Sequence, residues 1–337
     1  MKRNIFFLLL FTMLAVSAYF LVIKKTPGTL NEEETGFAVT DTASIGKIFI
    51  GDMQGNKVVI ERMKNFWMLD KKYPVRNDYI RVLLSTIKNV AVSYPVQQAA
   101  INKVAAEMAA HNKKVEIYDT RGKLIRSYFV GGPSLDSHGT FMLMEGSRNP
   151  YVTAIPGFQG VLETRYTTDA DAIRSTEIYN FRLNEIREVT VQYTEKADSS
   201  FSISVLGPDS FQLKDAAGRI YDHSLVDQNK LRSYLDLFSF INAEAYVNDL
   251  SKKDTILQAP PFCTITLIDR GNLRHTTACY RIPLLPDSPM QFDPSGQPMK
   301  FDSDRYFASI NNGSDFVIVQ RYHFGRLLKN TSYMLKH

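Results

Sequence analysis

Cysteine is scarce: two in 337 residues, at positions 263 and 279. With no Cys-x-x-Cys, and six histidines that never fall into His-x-x-x-His or His-Glu-x-x-His, the sequence has no zinc-type ligand spacing. It has no Gly-x-x-x-x-Gly-Lys loop and no Gly-x-Gly-x-x-Gly fingerprint, so nucleotide-phosphate chemistry is not expected. It has no Gly-x-Ser-x-Gly elbow to present a serine nucleophile. Nor is there an excess of one charge where it would matter. The net charge is +5, but Lys2, Arg3, Lys24 and Lys25 lie in the first 25 residues, which hold no acid. The rest balances 36 basic against 35 acidic residues, and a body that neutral gives no ground to expect nucleic-acid binding, which needs a clustered basic face. These absences leave no cofactor, no metal site and no catalytic constellation to expect.

One long hydrophobic run is present. Residues 5–23, IFFLLLFTMLAVSAYFLVI, carry no charge over nineteen positions. At about 1.5 Å per residue, a helix of that length crosses the hydrocarbon core of a bilayer. Val16-Ser17-Ala18 has the small residues of a signal-peptide cleavage site, but Tyr-Phe-Leu-Val-Ile continues the run, which favours an uncleaved anchor. The expectation is therefore a cytoplasmic tail at 1–4, a transmembrane anchor at 5–23, and a polar linker at 24–43. Residues 44–337 would lie in the periplasm, tethered to the cytoplasmic (inner) membrane by a single pass.

The body after the linker reads as one unit written twice. SIGKIFI (44–50) and EIREVTV (185–191) alternate apolar and polar residues, the mark of a half-buried strand, and so do KVVIER (57–62) and SFSISV (200–205). In the next strand Trp67 and Leu69 correspond to Phe211 and Leu213. A helix follows in each half. Ile80, Leu83, Leu84 and Ile87 match Leu231, Tyr234, Leu235 and Phe238 at the i, i+3, i+4, i+7 spacing of one helix face. Asn77 and Asp227 are the expected N-caps. Hairpins at 114–130 and 263–282 turn at Asp-Thr-Arg-Gly and Asp-Arg-Gly-Asn, and two more strand-like runs close each half. The expected fold class is α+β. It consists of two tandem repeats, 44–182 and 183–337, each an antiparallel sheet with one main packed helix.

KVVIER, the Trp67-Met68-Leu69 strand, Tyr73-Pro74-Val75, YVTAIPGFQGVLETRY and IRSTEIYNFRLNEIREVTV resemble the DUF4340 family of extracytoplasmic proteins. The resemblance extends over 44–337 and implies a membrane-tethered partner of ABC-type transporters or other envelope complexes. It transfers no functional residue, because the matching positions are packing and turn residues. A second resemblance is local. KKVEIYDTRGKLIRSYFVGG, followed by SHGTFMLM, is similar to an L,D-transpeptidase, where Ser-His-Gly-Cys carries the cysteine nucleophile. Here Ser137-His138-Gly139 is followed by Thr140, so the nucleophile is missing.

Cys263 and Cys279 flank the second hairpin. A turn centred on Gly271 sets them opposite one another across antiparallel strands, which makes them a candidate disulfide outside the cytoplasm. The expected function is that of a non-enzymatic periplasmic interaction or scaffold protein. Its partners would be the bilayer through 5–23 and envelope or permease proteins, with no nucleic acid and no nucleotide. The alternatives are a cell-wall-active enzyme using the Ser137–His138 loop, and a ligand-binding module between the two repeats.

Overall fold

The computed structural model describes residues 12–13, 32–285, 288, 291–293 and 295–336. The expected anchor at 5–23 lies outside the described residues apart from Thr12 and Met13, as does the tail at 1–4. Among the described residues no helix is long and apolar enough to cross a membrane. The fold of the body is mixed α+β, and the chain divides into two compact units, Met1–Ser175 and Thr176–His337.

In the first unit nine antiparallel strands form one sheet. They are β1 (Ile45–Asp52), β2 (Lys57–Arg62), β3 (Trp67–Leu69), β4 (Tyr73–Pro74), β5 (Ala91–Pro95), β6 (Lys113–Asp119), β7 (Leu124–Pro133), β8 (Thr140–Met144) and β9 (Tyr151–Ala154), in the order β4-β3-β2-β1-β6-β7-β8-β9-β5. Period-2 alternation buries one face: Ile48 and Ile50 of β1 are fully buried while Lys47 and Phe49, which alternate with them, are not. Ile48 pairs with Ile60 on one side and Ile117 on the other, so the apolar sets line up across three strands. Helix α1 (Asn77–Asn89) lays Ile80, Leu83 and Ile87 into this core, while α2 (Ile101–Ala110) buries Val104 and Met108 outside that cluster. Gly131 in β7 leaves room for Met108, whose Cγ would stand 2.8 Å from any Cβ there.

The second unit holds an eight-stranded antiparallel sheet. Its strands are β11 (Ile186–Tyr193), β12 (Phe201–Gly207), β13 (Ser210–Asp215), β15 (Ala245–Tyr246), β16 (Cys263–Asp269), β17 (Arg274–Pro283), β18 (Phe301–Ile310) and β19 (Asp315–Gln320), in the order β13-β12-β11-β16-β17-β18-β19-β15. A two-stranded sheet pairs β10 (Glu177–Tyr179) with β14 (Ile241–Asn242). Helix α3 (Gln228–Asp236) buries Leu231, Tyr234 and Leu235, and Phe238 follows in the next turn. Asp227 caps it, its carboxylate accepting from the amides of Asn229 (3.0 Å) and Lys230 (3.1 Å).

Several expectations are corrected. Residues 176–182 were assigned to the first unit, but β10 pairs within the second, and Tyr179 is buried there with its hydroxyl donating to Thr277 Oγ1 at 2.8 Å. The stretch expected as a linker at 24–43 contains Phe37 and Val39, both buried in the first core. The amide of Val39 donates to Ile87 O at 3.0 Å, satisfying a carbonyl that the end of α1 leaves free. Arg76, not Asn77, occupies the N-cap of α1, without a side-chain cap bond. At the turn after β6, Gly122 takes positive φ, but after β16 that position belongs to Asn272 at φ 66°, not to Gly271. Asparagine tolerates that conformation better than most residues. The second unit also has a six-residue helix at Lys253–Gln258 before β16, where the sequence reading gives each unit one main helix.

Candidate functional site

The loop between β7 and β8 holds Ser137 and His138, on which the enzyme alternative rests. Its groups serve the turn. Ser134 is buried, and its hydroxyl donates to Asp136 Oδ1 at 2.5 Å and accepts from the Gly139 amide at 2.9 Å. Asp136 also accepts from the His138 amide at 3.1 Å. The Ser134 hydrogen bond, followed by that amide, holds the Asp136 carboxyl below its ordinary range. His138 is two-thirds exposed, with Nδ1 3.7 Å from Asp136 Oδ2, and Ser137 takes φ 57° at the tip. Thr140, where the transpeptidase pattern needs cysteine, is fully buried in β8. Its Oγ1 accepts from the Leu162 amide at 2.7 Å, and its carbonyl accepts from Thr153 Oγ1 at 3.0 Å. Gly139 is required by packing, since a Cβ there would fall 2.4 Å from Val152 Cγ1. The buried Ser134 and the Asp136 carboxylate thus anchor the turn.

Cys263 and Cys279 face one another in register across β16 and β17, with both thiols free and fully buried. Burial pushes the Cys263 thiol up to about 12, and burial followed by the neighbouring sulfur raises Cys279 well above its ordinary value. As thiols they are inert, because the reactive species is the thiolate. Of the histidines, His275 sits 3.1 Å from Asp269 Oδ2 with its ring 4.7 Å from that of Phe181. The other Asp269 oxygen accepts from the Leu273 amide at 2.9 Å and ties the turn together. Among the described residues no group of three or more His, Cys, Asp or Glu could hold a metal ion.

The site that sequence reading did not find is a cleft of about 660 Å³ in the first unit, between the β2–β3 turn and α1. The turn is closed by Met63 N donating to Phe66 O at 2.8 Å. Arg62 lies 4.4 Å over the Trp67 ring and spends its guanidinium on the carbonyls of Ile45 and Thr42, each at 2.7 Å. Phe66 stands half-exposed at the mouth. Lys64 from the turn and Arg81 and Lys88 from α1 are exposed around it, and among the described residues none of the three forms an ion pair. The one legible signal was Arg81, Ser85 and Lys88 at i, i+4, i+7, a polar face opposite the buried stripe. Lys64 could not be added to that face from sequence, because only the sheet brings the turn against the helix.

No curated protein and no solved structure matches the chain. The family DUF4340, a domain of unknown function, matches residues 67–260. The match begins in β3, crosses the division at Ser175, and ends before β16, a narrower span than the expected 44–337. Because it covers more than half of the 337 residues, the protein belongs to the DUF4340 family.

Proposed function

We propose that this protein is a non-enzymatic, membrane-tethered scaffold. The uncharged run at 5–23 anchors it in the inner membrane, and its body stands in the periplasm beside an envelope or permease complex. The body is read as two copies of one α+β unit. The observation that carries this reading is the strand order. Taking β3, β2, β1, β6, β7, β8, β9 and β5 in sheet order, the second unit runs β13, β12, β11, β16, β17, β18, β19 and β15, each strand filling the same chain position relative to the main helix. Registers agree as well: Ile48 lies between Ile60 and Ile117, and Val189 between Ile203 and Leu267. A duplicated sheet with matched packing and turn residues is a framework for presenting surfaces.

The test is a crosslinking pull-down of the tagged full-length chain from native membranes. Stoichiometric recovery of one permease or envelope complex is expected, and recovery of background alone would sink the scaffold reading.

The cysteines give a second expected outcome, because the same location makes Cys263 and Cys279 a disulfide. The two thiols pass two protons and two electrons to a disulfide oxidant of the compartment, and the new S–S bond joins the facing strands. Protein extracted from membranes, denatured without reductant and treated with maleimide should show no free thiol. It should show two after reduction. Two free thiols before reduction would rule the bridge out.

A further inference from the structure

The two clefts beside the main helices differ in a way that packing does not require. The comparison rests on the reading of the units as copies. Strand register sets Trp67 against Phe211 and Leu69 against Leu213, since Trp67 pairs with Arg62 and Phe211 with Val205. Two residues before each aromatic, Asn65 stands where the second unit has Asp209. The buried stripes, Ile80, Leu83 and Ile87 against Leu231, Tyr234 and Phe238, set Arg81 at the position of Arg232.

In the second unit Arg232 is ion-paired with Asp209, and its guanidinium also reaches Pro208 O at 3.2 Å. In the first unit the acid is replaced by its neutral isostere, and Arg81 has no ion pair among the described residues. The neighbours change in the same direction. Ser85 replaces Asp236, Lys88 replaces Ser239, and Arg62 replaces Val205. The lining of the first cleft therefore holds four cations and no acid. Asp41 is the acidic group whose charge reaches Arg62, from beyond that lining. A cleft of about 660 Å³ falls in the range of small-molecule sites, roughly 300–1,000 Å³. Phe66 offers an exposed ring at the mouth, and Asn65, Asn77 and Ser85 offer hydrogen-bonding groups along the walls.

We propose that this cleft, between the β2–β3 turn and α1, binds a small anion bearing two or more carboxylate or phosphate groups. Arg81 and Lys88 on the helix hold one charged group, and Lys64 on the turn holds the other. Asn65 keeps Arg81 free where Asp209 engages Arg232.

Full-length protein in nanodiscs of uncharged lipid is titrated calorimetrically at low salt with citrate and, separately, with pyrophosphate. At least one probe should bind with a dissociation constant below about 1 mM, and the tighter of the two identifies carboxylate or phosphate as the favoured group. Asn65→Asp should weaken that probe about tenfold, and Lys88→Ser should do the same. Absence of binding by both probes at 10 mM would overturn the site, as would equal binding by wild type and Asn65→Asp. Neither result touches the reading of two copies, which has its own readout. If Asn65 and Asp209 correspond, Asn65→Asp should raise the melting temperature by about 1–2 °C, and Arg81→Ala should abolish that gain. A gain independent of Arg81, or none, removes the correspondence.

Discussion

Tyr234→Ala should lower the stability of the second unit by about 3–5 kcal/mol, the range for removing a large aromatic from a core. Tyr234 projects from α3 into the sheet and is 1 % exposed. Its ring stands edge-on to Phe201 at 5.6 Å and Phe238 at 5.7 Å, and its hydroxyl donates to Leu327 O at 2.8 Å. Truncation opens a cavity between two aromatics and strips a buried carbonyl of its donor. Tyr234→Phe keeps the packing and loses only the hydrogen bond, so it should cost about 1–3 kcal/mol. The core around Tyr234 is drawn from residues 179–334 alone, and the first core from residues 37–173. The single tryptophan, Trp67, belongs to the first. Urea titrations should therefore show the far-ultraviolet dichroism losing amplitude at lower denaturant, while the tryptophan fluorescence midpoint stays where it is in wild type. A fluorescence midpoint that moves with the dichroism would refute the separateness of the two cores.

Alkali should unfold the protein cooperatively. Tyr128 and Tyr166 are fully buried, with hydroxyls 3.3 Å apart and rings edge-on at 6.2 Å. Burial pushes Tyr166 up to about 12, opposed by the hydrogen bond to Tyr128. Burial, with Tyr166 alongside, raises Tyr128 well above its ordinary value. Burial likewise raises Tyr179 and Tyr234 in the second unit. The unfolded chain releases these protons near pH 10 and the folded one later. The stability they contribute is therefore fully present below pH 10 and is lost as pH rises through the folded values. For Tyr166 alone the loss is about 3 kcal/mol, at 1.36 kcal/mol per unit. Tyrosinate absorbance should rise in two phases: exposed phenols near pH 10, then the buried set together with the collapse of the dichroism. A single phase near pH 10 with dichroism intact would mean that these phenols are open to solvent.

Local pattern carried most of the fold. Alternation in SIGKIFI, KVVIER and EIREVTV marks strands because a pleated chain turns successive side chains to opposite faces. That pattern needs no knowledge of partners. The 3.6-residue stripes at 80–87 and 231–238 mark the helices for the same kind of reason. The opposition of Cys263 and Cys279 followed from turn position alone, since an antiparallel hairpin fixes every pair once its turn is known. Only the polar signals misled at short range. Asn77 is a good cap by composition, yet Arg76 takes the position, because Arg76 N donates to Ile173 O at 3.0 Å and the chain enters the helix from there.

What the sequence determined by itself was the run of longer alternating strands, the two main helices, the balance of charge in the body and the hydrophobic run at 5–23. Each of these is a property of consecutive residues. What only the tertiary structure decided was burial and company at a distance. Phe37 and Val39 belong to the first core because the end of α1 needs a donor. Tyr179 belongs to the second because Thr277 lies beneath it. Ser134 and Thr140 accept from the main-chain amides of Gly139 and Leu162, the second of them 22 residues away. Lys64, Arg81 and Lys88 form one cleft because β2 and β3 carry their turn across the helix. Charge in one place is a sum over segments far apart in the chain, and no local pattern records it.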